Sequence, residues 1–418
     1  MIGKLRNPFI GLFLAGISLT ISHDPAFAAD PATFDISQHG AIGDGTTLNT
    51  KAIQSTIDQC AAAGGGTVVI PTGEFVSGSL FLKSGVNLQL LDGAVLKGSA
   101  NIDDYALKNS RIEGHFEEQW HVALLNAEQT DHLRITGPGT LDGNGPLFWK
   151  AKTPNGRPRL CFVRDSSDVT ISGVHFKDSA SWNLHFYNCK NVTVENSSFE
   201  IPDKSKGPAT DGTDVDSSQN VTIRGCTYSV DDDCVCLKGS RGPDALKDTS
   251  SLPVSNVHVT GCTFKRGMGA LTLGSEATQI RDVEMDHCTV TGRVPMLRLK
   301  MRPDTPGQDY ENVRVHDIKL DGKGVILSFE LTHGTKVAPQ LPKGIIHNIS
   351  VSDIAGAFGS FGKIAANGNT NISVISLKNI DVKVNSTHLD AYGVTGLTYN
   401  NVIVNGTPVA GAGAIENP

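Results

Sequence analysis

Three adjacent carboxylates, Asp231, Asp232 and Asp233, stand in the stretch "SVDDDCVCLKG" at residues 229–239. The run alternates like a strand, yet like charges repel and Asp is among the residues strands favour least. Crowded carboxylates have a chemical use, because they split their pKa values and one keeps a proton near neutrality. Hydrolysis of a glycosidic bond with inversion needs such a division: a protonated carboxyl for the leaving oxygen and a carboxylate about 6.5–9.5 Å away to activate water. Asp211 supplies a further acid, and Arg298 with Lys300 supply two cations, all in stretches of similar pattern. Two cations beside the acids would hold a substrate carboxylate, which a uronic acid polymer offers at each unit. The competing reading of any one Asp is an Asx turn at a loop end; three on one surface with two cations favour chemistry.

A repeat decides whether these residues meet. "DVTISGVHF" begins at Asp168, "NVTVENSSF" at Asn191, "NVTIRGCTY" at Asn220, "NVHVTGCTF" at Asn256 and "DVEMDHCTV" at Asp282. "NVRVHDIKL" at Asn312 and "NISVSDIAG" at Asn348 continue it, with weaker copies near His132, Asn371 and Gly396. Each copy is a polar turn residue, a short β-branched alternation and a small residue. That period without helical patterning predicts an all-β solenoid, a parallel β-helix whose coils stack. Cys226, Cys262 and Cys288 take equivalent places and are expected to stack in the core as small apolar groups. The segment "LNTKAIQSTIDQCAAAGGG" (48–66) reads as an N-terminal capping helix. Asn49 or Thr50 caps it, Ile53, Ile57, Cys60 and Ala61 share its inner face, and Gly64 stops it.

Aligned on the turn residues, "DGTDVDSS" (211–218), "DDCVCLKG" (232–239), "MGALTLGS" (268–275) and "PMLRLKMR" (295–302) read as one strand in four coils. Neighbouring strands lie about 4.8 Å apart. Asp211 therefore falls over Asp232, and both share a wall with Asp233, with Arg298 and Lys300 two coils on. Those two cations point the same way, being two apart in a strand. Asp214 and Asp216 take the parity of Leu271 and Leu273 and are expected inward as buried, hydrogen-bonded acids. Strict alternation turns Asp233 away from Asp232 unless a bulge re-aims one of them. The stretch "RGPDALKDTSSLP" (241–253) is a candidate loop over the site.

The 418 residues are 39% hydrophobic and 19% charged, a profile of a folded chain rather than a disordered one. Residues 1–28 read as an export signal, with Lys4 and Arg6, an apolar run from Phe9 to Ile21, and Ala26-Phe27-Ala28 before the cleavage point. Its removal, with Asp24, takes the formal charge from −7 to −8. That acidity and the lack of a basic run argue against nucleic-acid binding. The expected product is a secreted or periplasmic monomer, residues 29–418 forming a single domain with no membrane attachment. Eight cysteines permit disulfides, one of them involving Cys234, but no spacing matches a zinc site.

The chain resembles glycoside hydrolase family 28, the polygalacturonases and rhamnogalacturonases, from about Phe34 to Asn405. The resemblance rests on "GAIGDG" (40–45) with "NTKAIQ" (49–54), "GPGTLDGNG" (137–145), "SWNLHF" (181–186), "DGTDVDSS" and "DDCVCLKG". It implies a right-handed parallel β-helix and inverting hydrolysis of an acidic pectic polysaccharide with no metal or cofactor. Asp232 would be the general acid, Asp211 and Asp233 would hold the attacking water, and Arg298 and Lys300 would bind a galacturonate carboxylate. The chain departs from the pattern at Ala209, where the family has Asn, and at Met268, where it has His. Met can neither donate a proton nor hold charge. Met268, Lys238, His185 and Trp182 join the substrate-binding candidates. Three alternatives remain: a rhamnogalacturonan or substituted-galacturonan hydrolase, a non-catalytic binder of acidic polysaccharide, and a calcium-dependent lyase.

Overall fold

The recurring turn residue adopts left-handed backbone geometry, with φ of 56° at Asp168, 55° at Asn191, 56° at Asn220, 54° at Asn256 and 55° at Asp282. Asn and Asp tolerate that region better than other residues with a Cβ, which explains the repeat's invariably polar start. Their side chains form a ladder along the molecule. Asn191 donates to Asp168 at 2.9 Å, Asn220 to Asn191 at 3.0 Å, and Asn256 to Asn220 at 2.9 Å.

The computed structural model describes residues 1–3, 32–202, 206–331, 344–366 and 370–409. Almost all of the export signal expected at 1–28 lies outside the described residues. Ala32–Pro418 forms one compact unit and Met1–Pro31 another. In the larger unit three strands make a coil, as in Leu184–Tyr187, Lys190–Glu195 and Ser198–Glu200. Each pairs in parallel with its equivalent in the next coil: Thr213–Asp216, Gln219–Arg224 and Thr227–Ser229. The result is a right-handed parallel β-helix.

Inward residues stack on their own kind, each coil offering the same small space to the next. Val192, Val221, Val257, Val283 and Val313 are in register. The rings of Phe176, Phe199, Tyr228 and Phe264 stack with centroids 4.7, 4.7 and 5.3 Å apart. The Cys226–Cys262–Cys288 column forms as expected. All eight cysteines are free and buried, so Cys234 is in no disulfide.

Thr50–Ala62 is the capping helix, burying Ile53, Ile57 and Cys60. Asn49 sits at its N-cap without capping it; its side chain instead accepts from the Ile42 N–H at 2.7 Å. At the other end Thr407–Val409 folds back antiparallel on Val402–Val404. A single antiparallel hairpin, Leu107–Ile112 with His115–His121, stands outside the coil stack among the described residues. None of the described helices is long and apolar enough to cross a membrane.

Candidate active site

The strands Thr213–Asp216, Val235–Lys238, Leu271–Leu273 and Leu297–Lys300 stack as one wall. Thr213, Val235, Leu271 and Leu297 form one column, and Val215, Leu237, Leu273 and Leu299 another. These two columns are the buried, inward ones. Register corrects the sequence alignment by one residue. The Gly212 N–H donates to the Asp233 carbonyl at 2.9 Å, so Asp211 stacks over Asp233 and not over Asp232. Asp211 and Asp233 stand 22 residues apart in this register, so counting back 21 from Asp232 misplaces Asp211. The same correction moves Asp214 and Asp216 to the outer face, opposite Cys236 and Lys238. Both are nonetheless buried, at 0% and 1% exposure.

The hairpin covers Asp216. Arg111, itself 1% exposed, donates from Nε to Asp216 at 3.0 Å and from Nη2 to Ser240 and Ser251. Burial opposes the Asp216 charge, but Arg111 outweighs it and holds the carboxyl below its ordinary range. The 241–253 loop packs behind the hairpin, where Asp248 lies 3.5 Å from Arg111. It is the hairpin turn at Glu113 that reaches the cavity.

That cavity, of about 190 Å³, is lined by Trp182, Asp211, Asp232, Asp233, Lys238, Met268, Arg298 and Lys300, together with Ala209. Glu113, Ser275 and Glu276 complete it, and sequence reading did not single them out. Glu113-Gly114 between two extended runs was a visible hairpin signal; nothing local marked Glu276.

Asp233 is the most heavily bonded acid. Lys300 Nζ lies 2.7 Å from Oδ2, Thr272 donates to Oδ1 at 2.8 Å, and Arg298 approaches Oδ1 at 3.4 Å. Burial works against its charge, but Lys300 and Arg298 prevail and lower its pKa. Asp211 faces Lys238 at 3.3 Å; burial raises its pKa, and Lys238 counters only in part. Asp232 has no cation within ion-pair distance among the described residues, and only the Asp233 N–H donates to it, at 3.0 Å. Burial, then the Asp211 and Asp233 charges, push its carboxyl up to about 7. One wall thus carries an acid that keeps its proton beside a carboxylate that has lost one. Burial, then the Asp211 charge, also push Asp214 well up.

Arg298 and Lys300 face the same way, as alternation requires, but differ in access. Lys300 is 6% exposed and committed to Asp233. Arg298, half-buried, also reaches Glu330 at 2.9 Å and presents the accessible guanidinium. Met268 is half exposed on the rim. Trp182 lines the cavity with its ring 4.6 Å from Lys238 Nζ. His185 does not reach it: fully buried, it lies between Arg159 at 2.6 Å and Asp216 at 3.5 Å, and burial lowers its pKa to about 3. Its place is on the outer row beside Asp214, covered and serving as packing. Asp211, Asp233 and Cys236 bring potential ligand atoms within 4.8 Å of one another. Lys238 and Lys300 already neutralise those two carboxylates, which makes the group a poor match for calcium and its six to eight oxygens.

Comparison with known proteins agrees with the geometry. Residues 60–404 match the family described as glycosyl hydrolases family 28. The chain is 29% identical to an exo-poly-alpha-D-galacturonosidase of Dickeya chrysanthemi over 79% of its own length, spanning 64% of that relative. It is 25% identical to an endo-polygalacturonase of Pectobacterium carotovorum subsp. carotovorum, covering 92% of this chain and 94% of that one. Its fold superposes on a hyperthermoactive exopolygalacturonase from Thermotoga maritima with TM-score 0.77 at 21% identity, over 90% of this chain and 94% of the other. The chain belongs to glycosyl hydrolases family 28.

Proposed function

We propose that this protein hydrolyses α-linked galacturonic acid units of pectic galacturonan by inversion. The observation that carries the reading is the split of three carboxyls in one cavity, Asp232 raised to about 7, Asp211 raised and Asp233 lowered, with Arg298 beside them. Asp232 protonates the glycosidic oxygen. Asp211 and Asp233, whose ligand atoms lie within 4.8 Å, hold the attacking water between them. Arg298 takes the substrate carboxylate, and Lys300 keeps Asp233 ionised. Each of these roles belongs to the proposal.

Cleavage from a chain end is the finer reading. The outward wall upstream of the acids is closed, with Phe162, His185, Asp214 and Asp216 all at 4% exposure or less under the hairpin. Among the described residues, the side left open to a polymer is the one past Arg298. The named relatives include both exo- and endo-acting proteins, so the hairpin carries this point. Export through residues 1–28 completes the proposal and is checked by N-terminal sequencing of protein recovered outside the cytoplasm.

The test is incubation of the purified mature chain with polygalacturonate and with rhamnogalacturonan, following reducing ends and products. Release of galacturonic acid ahead of any fall in viscosity is expected, with no change on adding a chelator. No release from either polymer would sink the hydrolase reading. Calcium-dependent release of unsaturated products would make the protein a lyase.

A further inference from the structure

Lys238 lines the cavity, and its position looks like that of a substrate ligand, but its surroundings assign it a different task. The residue ends the Val235–Lys238 strand on the outer row, 4% exposed. Its Nζ lies 3.3 Å from Asp211 Oδ2, 3.5 Å from Asp214 Oδ1 and 3.8 Å from Glu276 Oε2. The Trp182 ring covers it at 4.6 Å. An ammonium has three donors, and three carboxyls with one aromatic face already surround this one. Little is left for a sugar carboxylate.

The two lysines divide the acids between them. Lys300 serves Asp233 at 2.7 Å, and Lys238 serves Asp211 at 3.3 Å. Asp232 has neither. Burying an ionised carboxylate without a partner costs several kcal/mol in practice, so an unpaired acid keeps its proton. We propose that Lys238 is a positioning residue for Asp211: its ammonium holds that carboxylate ionised and aimed at the water shared with Asp233. This inference rests on the hydrolase reading and adds to it how the base pair is kept charged.

The groups facing Asp211 are Lys238, Asp233, Lys300, Asp214, Asp232 and the Cys236 thiol. Burial, then the Asp211 charge, push the Asp214 carboxyl well up, and neither of its oxygens has a hydrogen-bond partner among the described residues. Glu276 is held apart by Ser275 at 2.7 Å and Arg302 at 3.6 Å, so it neutralises Lys238 without competing for the water. In this arrangement the cation nearest to Asp211 is Lys238.

The experiment compares wild type, K238M and K238R across a pH range on polygalacturonate. For K238M we expect kcat to fall about 100-fold, the scale of a lost general base, with KM within about twofold. The acidic limb of kcat/KM should move up by about one pH unit, the size of a lost neighbouring charge. K238R should restore most of the rate and return the limb. A rise in KM at unchanged kcat would make Lys238 a substrate ligand and overturn the proposal. So would a loss of kcat with the limb unmoved, which a merely structural role produces. Because K238M leaves buried acids short of a cation, K238M/E276Q removes one of them and provides a second variant. A ¹³C-aspartate titration, with the Asp211 signal assigned by its loss in D211N, reads the carboxyl without turnover. An Asp211 titration unchanged by K238M overturns the inference; an inactive wild type whose Asp211 does respond sinks the hydrolase reading alone.

Discussion

At the scale of the residue, the wall works by unequal pairing. Asp233 has a lysine and an arginine, Asp211 has a lysine, and Asp232 has only a backbone N–H. Asp232→Asn removes the transferable proton while keeping size and shape. It should lower kcat about 10³-fold, within the usual span for a general acid, and leave binding of a galacturonan oligomer unchanged by calorimetry. The pH profile follows from the same pairing. The active form carries its proton on Asp232, so kcat/KM should fall as pH rises through about 7. Towards acid it should fall again as Asp211 and Asp233 take up protons, Asp233 last because its pKa is lowered. An alkaline limb that survives in D232N would show that another group is the acid. The residue types were legible beforehand: three acids, two cations and a Met in the place of a family His. The partition of cations among acids was not, since it depends on which atoms stack, and a one-residue slip put Asp211 over the wrong partner.

At the scale of the element, a buried ion pair ties the hairpin Leu107–His121 to the wall, alongside Arg159, which donates to the Arg111 carbonyl at 2.6 Å, and Arg241, which meets Glu113 at 2.9 Å. Arg111 and Asp216 are each 1% exposed, so neither retains water if the other is lost. Arg111→Met should cost about 3–5 kcal/mol in urea unfolding, the range for breaking a buried pair. It should also open the hairpin to limited proteolysis and let longer products appear. R111M/D216L, which removes both charges, should recover most of that stability. Equal stability of R111M and wild type would mean that the pair contributes nothing. The strands, the capping helix and the cysteine column could all be read from periodicity, because each repeats a local pattern. The hairpin occurs once and repeats nothing. Its neighbours, Asp216, Ser240 and Ser251, lie more than a hundred residues away in sequence, so only the fold brings them together.

At the scale of the whole molecule, packing leaves no thiol near water, whether in the inner columns, on the capping helix (Cys60) or on the outer row (Cys236). All eight cysteines are buried. The native protein should show no reaction with a thiol reagent over minutes, and eight equivalents after denaturation in urea; a reactive thiol in the native state would contradict the packing. The ladder of left-handed turns has a consequence for change over time. From Asn220 to Val235, Asn256 to Leu271, Asp282 to Leu297 and Asn312 to Leu327 the chain covers the same number of steps, and the four end points are neighbours on the wall. From each of those end points to the next turn the count varies freely. The coil of Asp211 differs, with 22 steps from Asn191 to Thr213. In the other four coils extra residues therefore fall after the end point, where they can lengthen or shorten without moving the strands of the wall. New polymer preferences can be tried there while the chemistry underneath keeps its spacing.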